Sequence, residues 1–129
     1  MAESHEENKG LLAGALLQIY MELRDTLLSL PIPLAIPTTV EAIETPLAPV
    51  MRSVHRAAKV AEDEPLPTAI IAVLIDVLNL WNVAALTTSV ALRNEGDLFV
   101  DAAGTALAHA DSALQLLIEL LTDLPGAEE

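Results

Sequence analysis

Apolar residues recur along this chain at intervals of three and four, the spacing of amphipathic helices, and prolines together with Gly96 divide the pattern into four segments. The first two predicted helices cover residues 9–30 and 38–63. The third and fourth cover residues 67–94 and 98–124. No segment has the period-two alternation that is typical of a strand. The pattern therefore predicts an all-α protein.

The length of 129 residues suits one domain. We expect residues 9–125 to fold as a single four-helix bundle with up-down topology. Residues 1–8 are expected to be a flexible acidic N-terminus, and residues 126–129 an acidic C-terminal tail. Three prolines between residues 31 and 37 predict a Pro-rich, extended connector after the first helix, lying across the ends of the bundle.

Local signals mark the start of the second helix. Thr38 and Glu41 have the S/T-x-x-E spacing of a capping box, in which each residue satisfies a free backbone N–H of the first turn. Pro46 and Pro49 fall inside the same predicted helix. The helix therefore either kinks there or restarts with Pro46 in its first turn.

The two later connections are expected to be loops at the surface. Residues 62–67 combine acidic side chains with two prolines, which is typical of a surface loop. Gly96 can adopt the backbone conformation that stops a helix, and Asp97 can cap the helix that follows. These signals predict a tight hairpin between the third and fourth helices.

Composition and charge exclude several functions. The chain has no cysteine, which removes disulfides, thiolate catalysis and Cys-ligated metal sites. With a formal net charge of -13 and six Lys and Arg in all, the chain is not expected to bind nucleic acid. Its acidic N-terminus is unlike a secretory signal, so we expect a cytoplasmic location. The third segment is long enough to span a bilayer, but Asp76 and Asn79 within it favour a protein environment.

Catalytic and metal-binding patterns are missing from the sequence. It contains no Glu-x-x-His pair, no H-E-x-x-H, no G-x-S-x-G and no glycine-rich phosphate loop. We therefore expect a protein that is not an enzyme and has no cofactor or metal. An enzyme would need carboxylates such as Asp76, Asp101 and Asp111 to converge in one pocket. His109 borders an apolar face, where we expect it to make one hydrogen bond.

Four basic side chains share one face of the second helix, and we call them the basic stripe: Arg52, His55, Arg56 and Lys59. They include three of the six Lys and Arg in the chain. In one interpretation they complement the helix dipole and pair with Glu22, Glu119 or Asp123 of neighbouring helices. In the other they form a docking face for an acidic partner protein or an anionic head group.

The third helix is apolar on two sides, so it is either central in its own bundle or shared with another subunit. Trp81 and Thr88 lie on its first apolar seam. Its second seam consists of six residues: Asp76, Asn79, Val83, Leu86, Val90 and Arg93. We predict that this seam is the interface of a homo-oligomer, and the alternative is that it belongs to the core of its own chain. Antiparallel self-pairing would bring Asp76 and Asn79 of one chain near Arg93 of its mate, and buried polar residues of this kind fix register.

Two functions are compatible with these observations. The first is a non-catalytic interaction or scaffold module that self-associates through the third helix and docks a partner protein through the basic stripe. The alternative is a carrier or surface binder of an apolar small molecule or lipid. An interior rich in Ala and Leu, with one Trp, one Tyr and one Phe, is either filled or hollow, and the sequence supports both.

Overall fold

The computed structural model describes residues 2–38, 46–94 and 96–124, and these residues form four helices and no strand. The predicted all-α fold is therefore confirmed for this part of the chain. The helices are α1 (Ala2–Leu28), α2 (Leu47–Ala61), α3 (Thr68–Arg93) and α4 (Asp97–Thr122). The predicted acidic tail at residues 126–129 lies outside the described residues.

The first two helices begin at positions that differ from the predicted ones. The backbone is already helical at Ala2, so the segment expected to be a flexible terminus is largely part of α1. The described start of α2 is Leu47, with Pro46 at its N-cap and Pro49 in its first turn. A proline in the first turn removes no intrahelical hydrogen bond, so neither proline kinks the helix. The predicted contact from Glu41 lies outside the described residues.

The connection between α3 and α4 depends on a glycine. Gly96 has a φ of +103°, a backbone conformation that residues with a side chain rarely adopt. Gly96 is also the N-cap of α4, and Asp97, the predicted cap, is the first residue of that helix. At the end of α3, the Asn94 side-chain amide donates a hydrogen bond to the Val90 carbonyl at 2.7 Å, which satisfies a free carbonyl of the last turn.

The central helix of the fold is α3, which packs against the other three helices. Its side chains Leu74, Val77 and Leu78 are fully buried. Of the remaining helices, α1 packs against both α3 and α4, whereas α2 packs chiefly against α3. The predicted seam of α1 faces this core, since Leu23 and Leu27 are completely buried. The buried residues of α3 lie on one side of the helix, which faces the other three helices, and the opposite side is open.

The connector after α1 is anchored to the helices by side chains and hydrogen bonds. Leu34 and Ile36 are buried and alternate with exposed residues, as expected for an extended segment. The Leu34 N–H donates a hydrogen bond to the Leu27 carbonyl at 3.0 Å. The Tyr20 hydroxyl donates another to the Pro37 carbonyl at 2.6 Å.

The loop between α2 and α3 is only partly a surface loop, which corrects the prediction for residues 62–67. Glu62 and Asp63 are exposed, but Glu64 is 4% exposed. The Glu64 carboxylate accepts a hydrogen bond from the Ile32 N–H at 3.0 Å. Ile32 lies between two prolines and outside any helix, so its N–H requires an acceptor from elsewhere in the fold.

Candidate functional site

The open side of α3 carries the residues that the sequence predicted as an oligomer interface. We call it the outer face, and it consists of Asp76, Asn79, Val83, Leu86, Val90 and Arg93. Their spacing alternates between three and four, so they follow one line along the helix. The side chains of Val83 and Leu86 are 52% and 55% exposed. Two large aliphatic groups therefore lie in solvent at the middle of the face.

Polar and charged side chains mark the two ends of the outer face. Asp76 and Asn79 are exposed at the N-terminal end, and Arg93 is exposed at the C-terminal end. Arg93 Nε donates a hydrogen bond to the Ser89 carbonyl at 3.2 Å and forms no ion pair with any described carboxylate. Asp76 and Arg93 are separated by about 25 Å along the helix axis, at 1.5 Å per residue. The two charges therefore cannot pair within one chain.

A shallow groove between α3 and α4 adjoins the outer face. Apolar side chains from both helices line it: Leu80, Val83, Leu98, Ala102 and Ala106. Leu98 is 75% exposed, the largest value among the exposed large hydrophobic residues that the structure describes. Asp101 and His109 also border the groove. The groove thus extends the exposed apolar surface of the outer face onto α4.

All four side chains of the basic stripe are exposed on α2. Within the stripe, Arg56 Nη2 donates a hydrogen bond to Ser53 Oγ at 3.1 Å. The expected pairing with neighbouring carboxylates is absent from the residues that the structure describes, because α2 packs chiefly against α3. Glu22 instead accepts a hydrogen bond from Gln115 Nε2 at 3.1 Å. The four basic groups consequently have no carboxylate partner among the described residues.

An apolar pocket of about 430 Å³ lies between α1, α2 and α3. Its floor consists of buried side chains: Tyr20, Val50, Trp81, Ala85 and Thr88. Its rim consists of partly or fully exposed ones: Ala13, Leu16, Leu17, Leu47, Ser89 and Leu92. The volume is within the range of small-molecule sites, and none of the described residues that line it is charged. The pocket is partly open to solvent, so it is a cleft between the three helices and not an enclosed cavity.

The polar atoms of the pocket floor differ in their hydrogen bonding. Trp81 Nε1 donates to the Leu16 carbonyl at 3.3 Å, and the Tyr20 hydroxyl donates to the Pro37 carbonyl. Thr88 is 1% exposed, and its buried hydroxyl has no hydrogen-bond partner among the described residues. Thr88 lies on the first apolar seam of α3, and its place in the sequence predicts no role for it. A hydroxyl group among apolar side chains is the feature of the sequence that could have indicated a binding site.

The acidic residues and histidine considered for catalysis are at the surface. Asp76, Asp101 and Asp111 are all exposed, and none of them lines the apolar pocket. His109 is exposed and makes no hydrogen bond with a described residue, so the bond predicted for it is absent. Among the side chains that the structure describes, no group of three or more His, Asp or Glu is placed to hold a metal ion.

By length and composition alone, α3 could cross a membrane, and it is the one such helix in the described part of the chain. In this fold it packs against three other helices, and 39% of its most apolar stretch is buried. Much of the remainder belongs to the outer face and its neighbours, which are the surfaces open to a partner.

Comparisons with known proteins give no family for this chain. No family model, no curated protein and no solved structure matches it.

Proposed function

We propose that this protein is a non-catalytic interaction module that forms a two-fold symmetric homodimer through the outer face of α3. The supporting observation is that the outer face is complementary to itself. Its six residues are placed symmetrically about a point between residues 84 and 85. A two-fold axis through that point places the line of residues antiparallel to the same line of the partner subunit.

The symmetry sets the pairs that meet in such a dimer. Val83 lies opposite Leu86 of the partner subunit, and the axis repeats that pair, so four aliphatic side chains form the centre. Asn79 lies opposite the partner's Val90. Full burial of a Val or Leu side chain contributes about 1.5–3 kcal/mol, and since these side chains are already about half buried, each contributes about half of that. The alternating spacing of three and four is that of a two-helix seam.

The charged ends select the antiparallel arrangement. In the two-fold dimer, Asp76 lies opposite the partner's Arg93 at both ends. A parallel arrangement would instead place Asp76 beside the partner's Asp76 and Arg93 beside the partner's Arg93. Like charges in contact disfavour an arrangement by up to several kcal/mol, so repulsion between these pairs destabilises the parallel dimer relative to the antiparallel one.

Charge reversal at the two ends tests the pairing directly. D76R alone places Arg opposite Arg at both ends of its homodimer, and R93D alone places Asp opposite Asp. Each variant should dissociate more readily than the wild type in sedimentation equilibrium. An equimolar mixture of the two should form heterodimers, because every end then joins Arg to Asp.

The control for these charge changes is D25R, since Asp25 is exposed on α1 and away from the outer face. D25R should associate like the wild type. A wild type that is monomeric at tens of micromolar would overturn the dimer. So would a mixture of D76R and R93D that associates no better than either variant alone, or a monomer that floats with neutral vesicles.

The basic stripe is the proposed docking face for an acidic partner protein. Its four side chains are exposed and have no carboxylate partner in the described residues, although the chain as a whole is strongly acidic. The double variant with Arg52→Glu and Arg56→Glu should lose binding to a glutamate-rich peptide, measured by fluorescence anisotropy. D25R, which adds positive charge elsewhere, should not strengthen that binding. Equal binding by wild type and double variant would overturn this role.

The arrangement of the helices proposed for this module is an up-down four-helix bundle with a tight α3–α4 hairpin. The contact between α3 and α4 across a short connection supports it, as does the anchored Pro-rich connector after α1. Because the chain has no cysteine, spin labels on cysteines introduced at Ala69 and Glu119 can report the geometry. We expect the labels to be close together. A separation near the length of α3, about 39 Å for its 26 residues, would contradict the hairpin.

A further inference from the structure

We infer that the apolar pocket between α1, α2 and α3 binds one uncharged aliphatic molecule with a single hydrogen-bonding head group, placed against Thr88. The inference is independent of the proposed homodimer. Trp81, Ala85 and Thr88 face the pocket, whereas Val83 and Leu86 belong to the outer face. At 3.6 residues per turn, these two sets lie on opposite sides of α3.

The walls of the pocket determine the main part of the ligand. Aliphatic side chains from three helices surround about 430 Å³, and the tilted rings of Tyr20 and Trp81 close one side, with centroids 5.0 Å apart. Such walls offer dispersion contacts and no hydrogen bond, which suits a hydrocarbon chain. No described cation lines the pocket, and the chain carries a net charge of -13, so an anionic ligand is disfavoured.

Thr88 determines the other part of the ligand. Its hydroxyl is both donor and acceptor, and it is buried with no partner in the described residues. The neighbouring Thr87 uses its hydroxyl in the ordinary helical way, donating to the Val83 carbonyl. Since Trp81 and Tyr20 already donate to backbone carbonyls, Thr88 is the group on the pocket floor with an unused hydrogen bond. Because this oxygen has less than 1 Å² of exposed surface, a ligand alcohol, ester or amide would complete the bond after the Thr88 side chain rotates its hydroxyl toward the pocket.

Trp81 is the single tryptophan of the chain and lies in the pocket floor, so its fluorescence reports occupancy. We would titrate the wild type with octanol, octanoate and octane, and follow the same titrations by calorimetry. Octanol should bind saturably, and octanoate at least tenfold more weakly, because its carboxylate finds no cation. T88V should weaken octanol binding about three- to tenfold, the value of one hydrogen bond, and leave octane binding unchanged.

V83E is the matched control, because it alters the outer face and leaves the pocket intact. It should bind octanol like the wild type even if it no longer dimerises. The inference fails if neither fluorescence nor calorimetry detects saturable octanol binding. It also fails if T88V binds octanol as tightly as the wild type, or if V83E loses binding as well, since the alkyl chain would then occupy the outer face. None of these results depends on whether the wild type is a dimer.

Discussion

The carboxylate of Glu64 accepts a hydrogen bond from the backbone N–H of Ile32, 32 residues earlier in the chain, at 3.0 Å. The bond joins the loop between α2 and α3 to the connector that follows α1. Glu64 is 4% exposed, whereas its neighbours Glu62 and Asp63 are exposed. One member of an acidic run therefore has a structural role in holding two loops together.

Replacing Glu64 with Ala should lower the free energy of unfolding by about 2 kcal/mol, because the Ile32 N–H would lose its charged acceptor. Urea denaturation followed by circular dichroism would measure the change. Asp63→Ala is the control, since that side chain is exposed and its removal should change stability by less than about 0.5 kcal/mol. Equal effects of the two substitutions would show that the hydrogen bond contributes nothing.

Val83→Glu should weaken the proposed homodimer by about a hundredfold. The change removes two apolar contacts at the centre of the interface and introduces a carboxylate opposite Leu86 of the partner subunit, a loss of about 3 kcal/mol. Val60→Glu is matched to it in residue type and exposure, at 51% against 52%, but lies on α2. Sedimentation equilibrium should give the wild-type dissociation constant for Val60→Glu. A similar loss in both variants would argue for unspecific repulsion between acidic chains.

Gly96→Ala should destabilise the fold by about 1–3 kcal/mol, because a φ of +103° with a ψ of 162° is strained for any residue with a side chain. The cost is conformational, since a Cβ at this position would meet no atom within 4 Å. Gly104→Ala has equally open space but lies within α4, where Ala is favoured over Gly by about 0.5–1 kcal/mol. Thermal unfolding should therefore move in opposite directions for the two variants.

Thr88→Val should raise the free energy of unfolding of the ligand-free protein by about 1 kcal/mol, because it removes a buried hydroxyl that has no described partner. Thr26→Val provides the comparison. Thr26 is also buried, but its hydroxyl donates a hydrogen bond to the Glu22 carbonyl at 2.8 Å, so its loss should be neutral or destabilising. Stabilisation by both variants would show that threonine burial as such is unfavourable here, whatever its hydrogen bonding.

The positions of α3 and α4 and the inward rows of α1 and α3 follow from the sequence alone. Leu23, Leu27 and Leu74 are fully buried, and α3 occupies Thr68–Arg93, close to its predicted range. These features are local: the three-and-four spacing, the prolines and the glycine act over a few residues, so they can be recognised without knowing the fold. The common line of the outer-face residues is determined in the same way, by spacing along one helix.

Only the tertiary structure decided which surfaces are covered. The basic stripe lacks the predicted carboxylate partners because α2 packs chiefly against α3. Glu64 is buried because the connector after α1 presents an N–H that needs an acceptor. The pocket beside Thr88 exists because α1, α2 and α3 leave about 430 Å³ unfilled where they meet. Each of these outcomes depends on distances between residues far apart in the chain, whereas helical periodicity reports only the direction in which a side chain points.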